Sequence, residues 1–288
     1  IMRVTPYFCL HLAMLTFTYD LVDSAEIPAQ EGLVAQWDFD ETTGQVARDS
    51  QGDLHGDLIN FGDEASHWVP GRVGGAISFN GSNHIEVADD PSIGGDIQSA
   101  MTIMAWFKSN VALDAGGAGN RMLEKGNSYF FLQGVGSGGM NFLVKDGGAN
   151  RTATIGESLE ADQWYHITGV VDNGQARVYL NGEPKNMINL NGPVDDAQMT
   201  LYIGSDDSGN HFNGLMDQLL IFNRALSDAE IISILQASEP DGPPEIVNAP
   251  VGDTVFEGGT LNLSVKANGA PPLHYQWFRG ETILRSQT

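Results

Sequence analysis

The sequence predicts an all-β fold, an antiparallel jelly-roll β-sandwich followed by the first strands of a second sandwich. Three observations support this prediction. Strand-length apolar or alternating segments recur from residue 33 to 223, glycine-rich turns separate them, and only one helical pattern is present. The 35 glycines and the low charged fraction of 18% suit short strands joined by tight turns better than long helices.

The individual strands follow from hydrophobic periodicity. Residues 33–39 alternate and place Ala35 and Trp37 on one face. Residues 101–108 are apolar on both faces, which is typical of a central sandwich strand. Residues 164–184 contain two strands around Asn173-Gly174, a dipeptide that favours a tight hairpin turn.

One helix is predicted, over residues 226–236. Ser227 and Glu230 have the spacing of a capping box, in which each side chain bonds the other residue's backbone amide. The apolar residues at helical spacing, which we expect to cover the sandwich edge, are Ile231, Ile232 and Leu235. A Pro/Gly-rich linker over 239–245 follows, so the predicted domains are 25–238 and 246–288.

The N-terminal segment is predicted to be a signal peptide over residues 1–24. Arg3 precedes a mostly apolar run over 7–19 that is too short to span a bilayer, and small residues follow it. An uncleaved anchor or a buried strand is the alternative. The only cysteine, Cys9, lies in this segment, so the body has no disulfide. We therefore expect a secreted or cell-surface protein of bacterial-type export, with no membrane span after signal removal.

The formal net charge is −23, from 14 basic and 37 acidic residues. Binding to nucleic acid or to anionic membranes needs clustered Lys and Arg, so this composition excludes both as partners. It favours solubility and supplies carboxylates for hard cations.

Five blocks in the chain resemble, in family order, the laminin-G-like jelly-roll domains of the concanavalin-A-like lectin/glucanase superfamily. They are residues 32–58, 71–87, 101–108, 164–184 and 214–231, the last with its Asn-Arg-Ala-Leu-Ser corner. Residues 256–280 resemble the first strands of an immunoglobulin-like domain, with Trp277 as its core tryptophan. The later strands of that fold are absent from the sequence, so we expect 246–288 to be a partial domain.

The resemblance implies a structural calcium ion. Asp49 and Gly52 lie in a loop after the first strand, and Asp217 lies on the last strand. First and last strands are neighbours in this fold, so Asp49 and Asp217 are expected to converge. Calcium takes about six to eight oxygen ligands, backbone carbonyls included. The alternative is that Asp49 caps a turn and that Asp217 pairs with Arg224 or faces water.

No catalytic residues are predicted. A retaining glycosidase needs two carboxyl groups about 5–5.5 Å apart. The nearest acidic cluster is Glu86, Asp89 and Asp90, but Glu86 and Asp89 point to opposite faces of a strand. Signature motifs of serine hydrolases, zinc proteases and phosphate-binding loops are also missing from the sequence. We therefore predict that the chain is not an enzyme.

A ligand site is expected on the loops or on the concave sheet, where aromatic faces stack on sugars and polar groups bind hydroxyls. The candidate residues are Trp68, Tyr129, Asp206, Asp207, Asn210 and His211. Each is alternatively a core or turn residue. The predicted function is an exported binding or adhesion module for a glycan or a cell-surface protein, within a larger multidomain protein. Two alternatives are a non-catalytic accessory domain of a glycan-active enzyme and a structural spacer.

Overall fold

The computed structural model describes residues 31–63, 65–114, 120–126, 128–133, 138–206 and 208–237, and four short segments after them, 245–248, 266–268, 277–279 and 282–284. The chain divides into two compact units. One is Ile27–Ser238; the other comprises Ile1–Glu26 and Glu239–Thr288. The predicted signal peptide lies outside the described residues.

The described residues of the larger unit form sixteen strands and one α-helix, which confirms the predicted all-β class. In chain order these are β1 (Leu33–Trp37), β2 (Val46–Ala47), β3 (Gly56–Ile59), β4 (Trp68–Pro70), β5 (Gly75–Asn80), β6 (His84–Val87), β7 (Ala100–Ser109), β8 (Arg121–Lys125), β9 (Tyr129–Gln133), β10 (Met140–Asp146), β11 (Ala149–Ala153), β12 (Trp164–Asp172), β13 (Gln175–Leu180), β14 (Glu183–Asn189), β15 (Leu201–Ile203), β16 (Asn213–Phe222) and α1 (Asp228–Ala237).

The strands form two antiparallel eight-stranded sheets. The first sheet has the order β14-β13-β12-β7-β16-β5-β4, with β1 also paired to β16. The second has the order β11-β10-β9-β8-β15-β6-β3-β2. Strands distant in sequence are neighbours in both sheets, as in a jelly roll. The predicted pairing of the first and last strands is confirmed, because Trp37 of β1 lies opposite Leu219 of β16.

Along one edge, strand β16 pairs with two different strands in succession. β5 pairs with its first residues and β1 with its last, and the register to β7 shifts between Asp217 and Leu220. Gln218 has a left-handed backbone at this bulge, with φ 47°. The bulge leaves Met216 and Leu219 in the core and places Asp217 on the opposite face of the sheet.

The core lies between the two sheets and contains large aromatic side chains. Trp37, Phe79, Phe107, Phe131 and Phe142 are all completely or almost completely buried there. Alternation along β1, predicted from the sequence, explains why Ala35 and Trp37 face this core. The predicted hairpin is confirmed: Asn173 and Gly174 join β12 to β13 with positive φ angles of 41° and 92°.

Helix α1 covers part of the outer face of the first sheet. The predicted capping box is present, since the Ser227 amide donates to Glu230 Oε2 (2.8 Å) and the Glu230 amide donates to Ser227 Oγ (3.3 Å). Ile231 is fully buried in a cluster with Met104 and Tyr179. One part of the prediction was wrong: Ile232 is 42% exposed, because the sheet contacts only one side of the helix.

The smaller unit contains four short described strands. β17 (Glu245–Asn248) pairs with β18 (Lys266–Asn268), and β19 (Trp277–Arg279) pairs with β20 (Thr282–Leu284). Both pairs are antiparallel. The immunoglobulin-like assignment of this unit stays a prediction.

Candidate functional site

A cluster of polar and aromatic side chains lies on the outer face of the second sheet. Ile85 and Val87 of β6 point into the core, so His84 and Glu86 project from the opposite face. Tyr202 of β15 lies in register with Glu86 and projects to the same side. His211 approaches from the loop before β16. We call these four residues, His84, Glu86, Tyr202 and His211, the histidine cluster.

The histidine cluster is held together by close ring contacts. The His84 ring lies 5.7 Å from the Tyr202 ring and 5.6 Å from the His211 ring, centroid to centroid. His84 Nε2 is 3.1 Å from Glu86 Oε1. The His84 side chain is 13% exposed and that of Glu86 is 42% exposed. The cluster therefore presents aromatic edges and a carboxylate at a partly open surface.

The loop from Ser205 to His211 borders this cluster and is organised by Asp206. Asp206 Oδ1 accepts the amides of Ser208 and Asn210, both at 2.9 Å. Asp206 Oδ2 accepts Asn210 Nδ2 (2.6 Å) and Arg121 Nε (3.3 Å). A single buried carboxylate thus fixes the loop that carries His211.

The pKa of Asp206 reflects this double environment. Burial alone would raise the pKa, but the hydrogen bonds from Asn210, Ser208 and Arg121 together lower it below the usual value for an aspartate. These hydrogen bonds therefore favour the ionised form of the carboxylate.

The structure places only part of the predicted ligand set at this site. Asp206, Asn210 and His211 belong to the loop beside the histidine cluster, while Asp207 lies outside the described residues. Two predicted ligand residues were wrong. Trp68 is 9% exposed and its Nε1 donates to the Gly44 carbonyl (3.2 Å).

Tyr129 is the second correction, since it is 1% exposed and its hydroxyl donates to the Ile93 carbonyl (2.8 Å). Both ring systems are core residues whose polar atoms are satisfied inside the domain. His84 and Tyr202 were missed by the sequence reasoning. The alternation of polar and apolar residues in His84–Val87 is the signal that could have placed His84 on an outer face.

The predicted calcium residues Asp49 and Gly52 lie together in the loop after β2. Asp49 is 5% exposed, and both of its carboxylate oxygens accept backbone amides: Oδ1 from Gln36 and Gln51 (2.9 Å each), and Oδ2 from Leu54 (3.1 Å). This is the turn-capping role that the sequence left open. A carboxylate surrounded by N–H donors is a poor calcium ligand, so Asp49 does not fit the ion, while Gly52 stays a prediction.

Asp217 fits a cation better. It is fully buried, its Oδ2 accepts the amides of Arg72 (2.7 Å) and Val73 (2.9 Å), and its Oδ1 has no hydrogen-bond partner within the described residues. Burial raises its pKa to about 7, against the lowering effect of the two amides, and the negative charges of Asp40 and Asp38 add to the increase. Arg224 pairs instead with Glu230 (2.7 Å).

A glycine-rich turn brings backbone close to these carboxylates. Asp40 Oδ1 accepts the Gly75 amide, at 2.5 Å, and a Cβ at Gly74 would lie 2.3 Å from the same oxygen. A Cβ at Gly71 would lie 2.6 Å from Asp217 Oδ2. Asp40 was missed as a candidate ligand; its position three residues after the first strand, which pairs with the strand that carries Asp217, is the signal that could have found it.

The acidic residues considered for catalysis have separate partners. Glu86 contacts His84 on the outer face, whereas Asp89 forms an ion pair with the completely buried Lys125. Glu124 lies across Tyr202 from Glu86 and pairs with Arg121 (3.3 Å). Among the described residues, no group of three or more His, Cys, Asp or Glu side chains is arranged around a common metal position. Within the same ranges, no helix has both the length and the apolar character needed to cross a bilayer.

Several solved structures are similar in fold to this chain. Domain 4 of AbnA, an extracellular GH43 arabinanase of Geobacillus stearothermophilus solved with arabinotriose, aligns with 70% of this chain over 98% of its own length, at 21% identity and a TM-score of 0.56. The binding domain of paraclostridial mosquitocidal protein 1 aligns with 72%, at 19% identity and a TM-score of 0.57.

A sialidase of Trypanosoma rangeli aligns with 70% of this chain, at 16% identity and a TM-score of 0.50. This chain covers 52% of the mosquitocidal binding domain and 32% of the sialidase. At these identities the likeness shows the fold. No curated protein matches the chain by sequence.

The sequence profile of a laminin-G family matches residues 79–232, which is more than half of the chain. The matched region runs from the end of β5 into α1 and includes the histidine cluster and Asp217. The chain belongs to the concanavalin A-like lectin/glucanases superfamily.

Proposed function

We propose that the jelly-roll unit is a non-catalytic carbohydrate-binding module of an exported protein, and that it binds a glycan at the histidine cluster. The observation that carries the proposal is the arrangement of His84, Tyr202 and His211 beside the exposed carboxylate of Glu86, next to the loop residues that Asp206 holds in place. Ring faces and edges pack on the apolar face of a sugar ring, and carboxylates accept its hydroxyl groups.

The structural neighbours support this proposal at the level of the fold. Domain 4 of AbnA was solved in complex with arabinotriose, and other neighbours are the binding domains of a mosquitocidal protein and of a botulinum neurotoxin. The same arabinanase domain favours one variant of the proposal, in which the module accompanies a glycan-active enzyme. The acidic surface supports release into an aqueous exterior, where a high net charge keeps a protein soluble.

We also propose a structural calcium ion at Asp217. Its unpartnered, buried Oδ1 and the nearby Asp40 would supply carboxylate oxygens, and backbone carbonyls and water would supply the remainder. When bound, the ion would neutralise charge where β1, β5 and β16 meet. It would then hold the shared edge of the first sheet together.

The test of glycan binding is a glycan array probed with the chain, followed by calorimetry on each positive glycan. We expect Tyr202→Ala to weaken binding about tenfold, since loss of one aromatic contact is worth about 1 kcal/mol or more. Trp164→Ala is the matched control. Trp164 lies on the outer face of the first sheet, 5.3 Å from the Lys108 ammonium, so its removal should leave affinity unchanged.

The possible outcomes distinguish a wrong location of the binding site from a wrong ligand class. If Trp164→Ala abolishes glycan binding and Tyr202→Ala does not, the glycan binds the first sheet, and the assignment of the site to the histidine cluster on the second sheet is contradicted. Failure of every glycan to bind folded protein would contradict the carbohydrate proposal as a whole.

A further inference from the structure

We propose that His84 and His211 form an open two-histidine site for a divalent transition metal of the zinc or copper class. This site is separate from the proposed calcium ion, which lies on the other sheet. It goes beyond the proposed function and does not depend on glycan binding.

The fold brings these two histidines together from distant parts of the chain. His84 begins β6, and β15 runs beside β6 with Ile203 opposite Ile85. Gly204 follows β15, and its carbonyl accepts the amide of Phe212 (2.9 Å). His211 is therefore anchored next to the end of β15, and its backbone also bridges to Arg121 of β8.

The spacing of the two rings suits joint ligation. Their centroids are 5.6 Å apart and their planes are inclined by 37°. A zinc ion lies about 2.0–2.1 Å from each imidazole nitrogen, so the two ring centroids around one tetrahedral ion are about 5–6 Å apart. The observed centroid separation falls in this range.

The Nδ1 atoms of both histidines are available as metal ligands. His84 Nε2 contacts Glu86 Oε1 at 3.1 Å, and in the tautomer that donates Nε2–H to this carboxylate, Nδ1 keeps its lone pair. Nδ1 of His84 and Nδ1 of His211 are both buried and have no hydrogen-bond partner within the described residues. Metal-bound histidines commonly donate their other ring N–H to a carboxylate, as His84 does here.

The surrounding charge favours a cation. Arg121, whose backbone bridges to His211, is paired with Glu124 and Asp206, both at 3.3 Å. Glu86 adds a carboxylate beside His84. Imidazole selects zinc, copper and nickel over calcium, which prefers oxygen ligands. With two protein nitrogens as ligands, the other coordination positions are left for water or for oxygen atoms of a bound molecule.

The test is calorimetric titration of the full chain with zinc alone, near neutral pH and in excess calcium so that carboxylate sites are saturated. We expect one zinc per chain in the wild type and a loss of affinity of about tenfold or more in His84→Ala and in His211→Ala. His55→Gln is the control: His55 is exposed in the loop after β2, and its removal should leave zinc affinity unchanged.

A second measurement guards against variants that fail to fold. Copper bound to the folded wild type should show hyperfine coupling to two imidazole nitrogens in its electron paramagnetic resonance spectrum, and to one in His211→Ala. A wild-type chain that binds no zinc at millimolar concentration would overturn the proposal. So would copper coupled to fewer than two nitrogens, or equal zinc affinity in the wild type and both alanine variants.

Discussion

Acidification should destabilise the jelly-roll unit through His166. This residue lies on β12 and is 1% exposed. Its ring stands edge-on to Trp106 at 5.1 Å, and its Nδ1 is 3.4 Å from Thr168 Oγ1. Burial lowers its pKa from 6.5 to about 3, because the charged imidazolium would lose its hydration inside the domain.

The sign and size of the effect follow from proton linkage. The unfolded chain protonates His166 near pH 6.5, whereas the folded unit resists protonation down to about pH 3. Stability is therefore fully present above about pH 6.5 and is lost as the pH falls. Each pH unit between the two pKa values costs about 1.4 kcal/mol, so about 2–3 kcal/mol should be lost between pH 8 and pH 4.5.

Urea denaturation of the wild type and of His166→Phe over this pH range measures the effect. The phenylalanine ring preserves the contact with Trp106 but does not titrate. Between pH 8 and pH 4.5 the variant should therefore lose about 2–3 kcal/mol less unfolding free energy than the wild type. Thr168→Val is the matched control, since it removes the hydroxyl contact and leaves the buried imidazole in place. Parallel stability curves for wild type and His166→Phe would refute the reasoning.

Three further predictions concern the metal, the closing helix and the glycan face. Calcium should raise the melting temperature of the wild type, because a ligand bound only by the folded state stabilises it, and Asp217→Asn should remove that increase; a wild-type melting curve unchanged by EDTA contradicts the metal assignment. Ile231→Ala should cost about 2–4 kcal/mol and Ser227→Ala about 1 kcal/mol in thermal or urea unfolding, whereas the exposed Ile232→Ala should cost well under 1 kcal/mol. If both isoleucine variants unfold alike, the helix does not close the domain. Glycan affinity should fall about tenfold in Tyr202→Ala by calorimetry and stay unchanged in Trp164→Ala.

The sequence alone was sufficient for the features governed by local rules. Alternation placed Ala35 and Trp37 in the core, Asn173-Gly174 marked a hairpin, and Ser227 with Glu230 marked the start of the helix. Each depends on residues within a few positions of one another. For this reason the fold class could be predicted without coordinates, whereas the family followed from the resemblance of five sequence blocks to laminin-G-like domains.

The candidate site depended on contacts that only the tertiary structure decides. His84 and His211 are 127 residues apart in sequence, and they meet because β15 carries the later loop beside β6. The same limit explains the wrongly predicted ligand residues. The sequence around an aromatic residue such as Tyr129 does not show whether its ring faces the core or the solvent. Asp49 likewise reads as a calcium ligand until its oxygens are seen to accept three amides. Burial and hydrogen-bond partners are properties of the packed sheets, and local sequence patterns do not specify them.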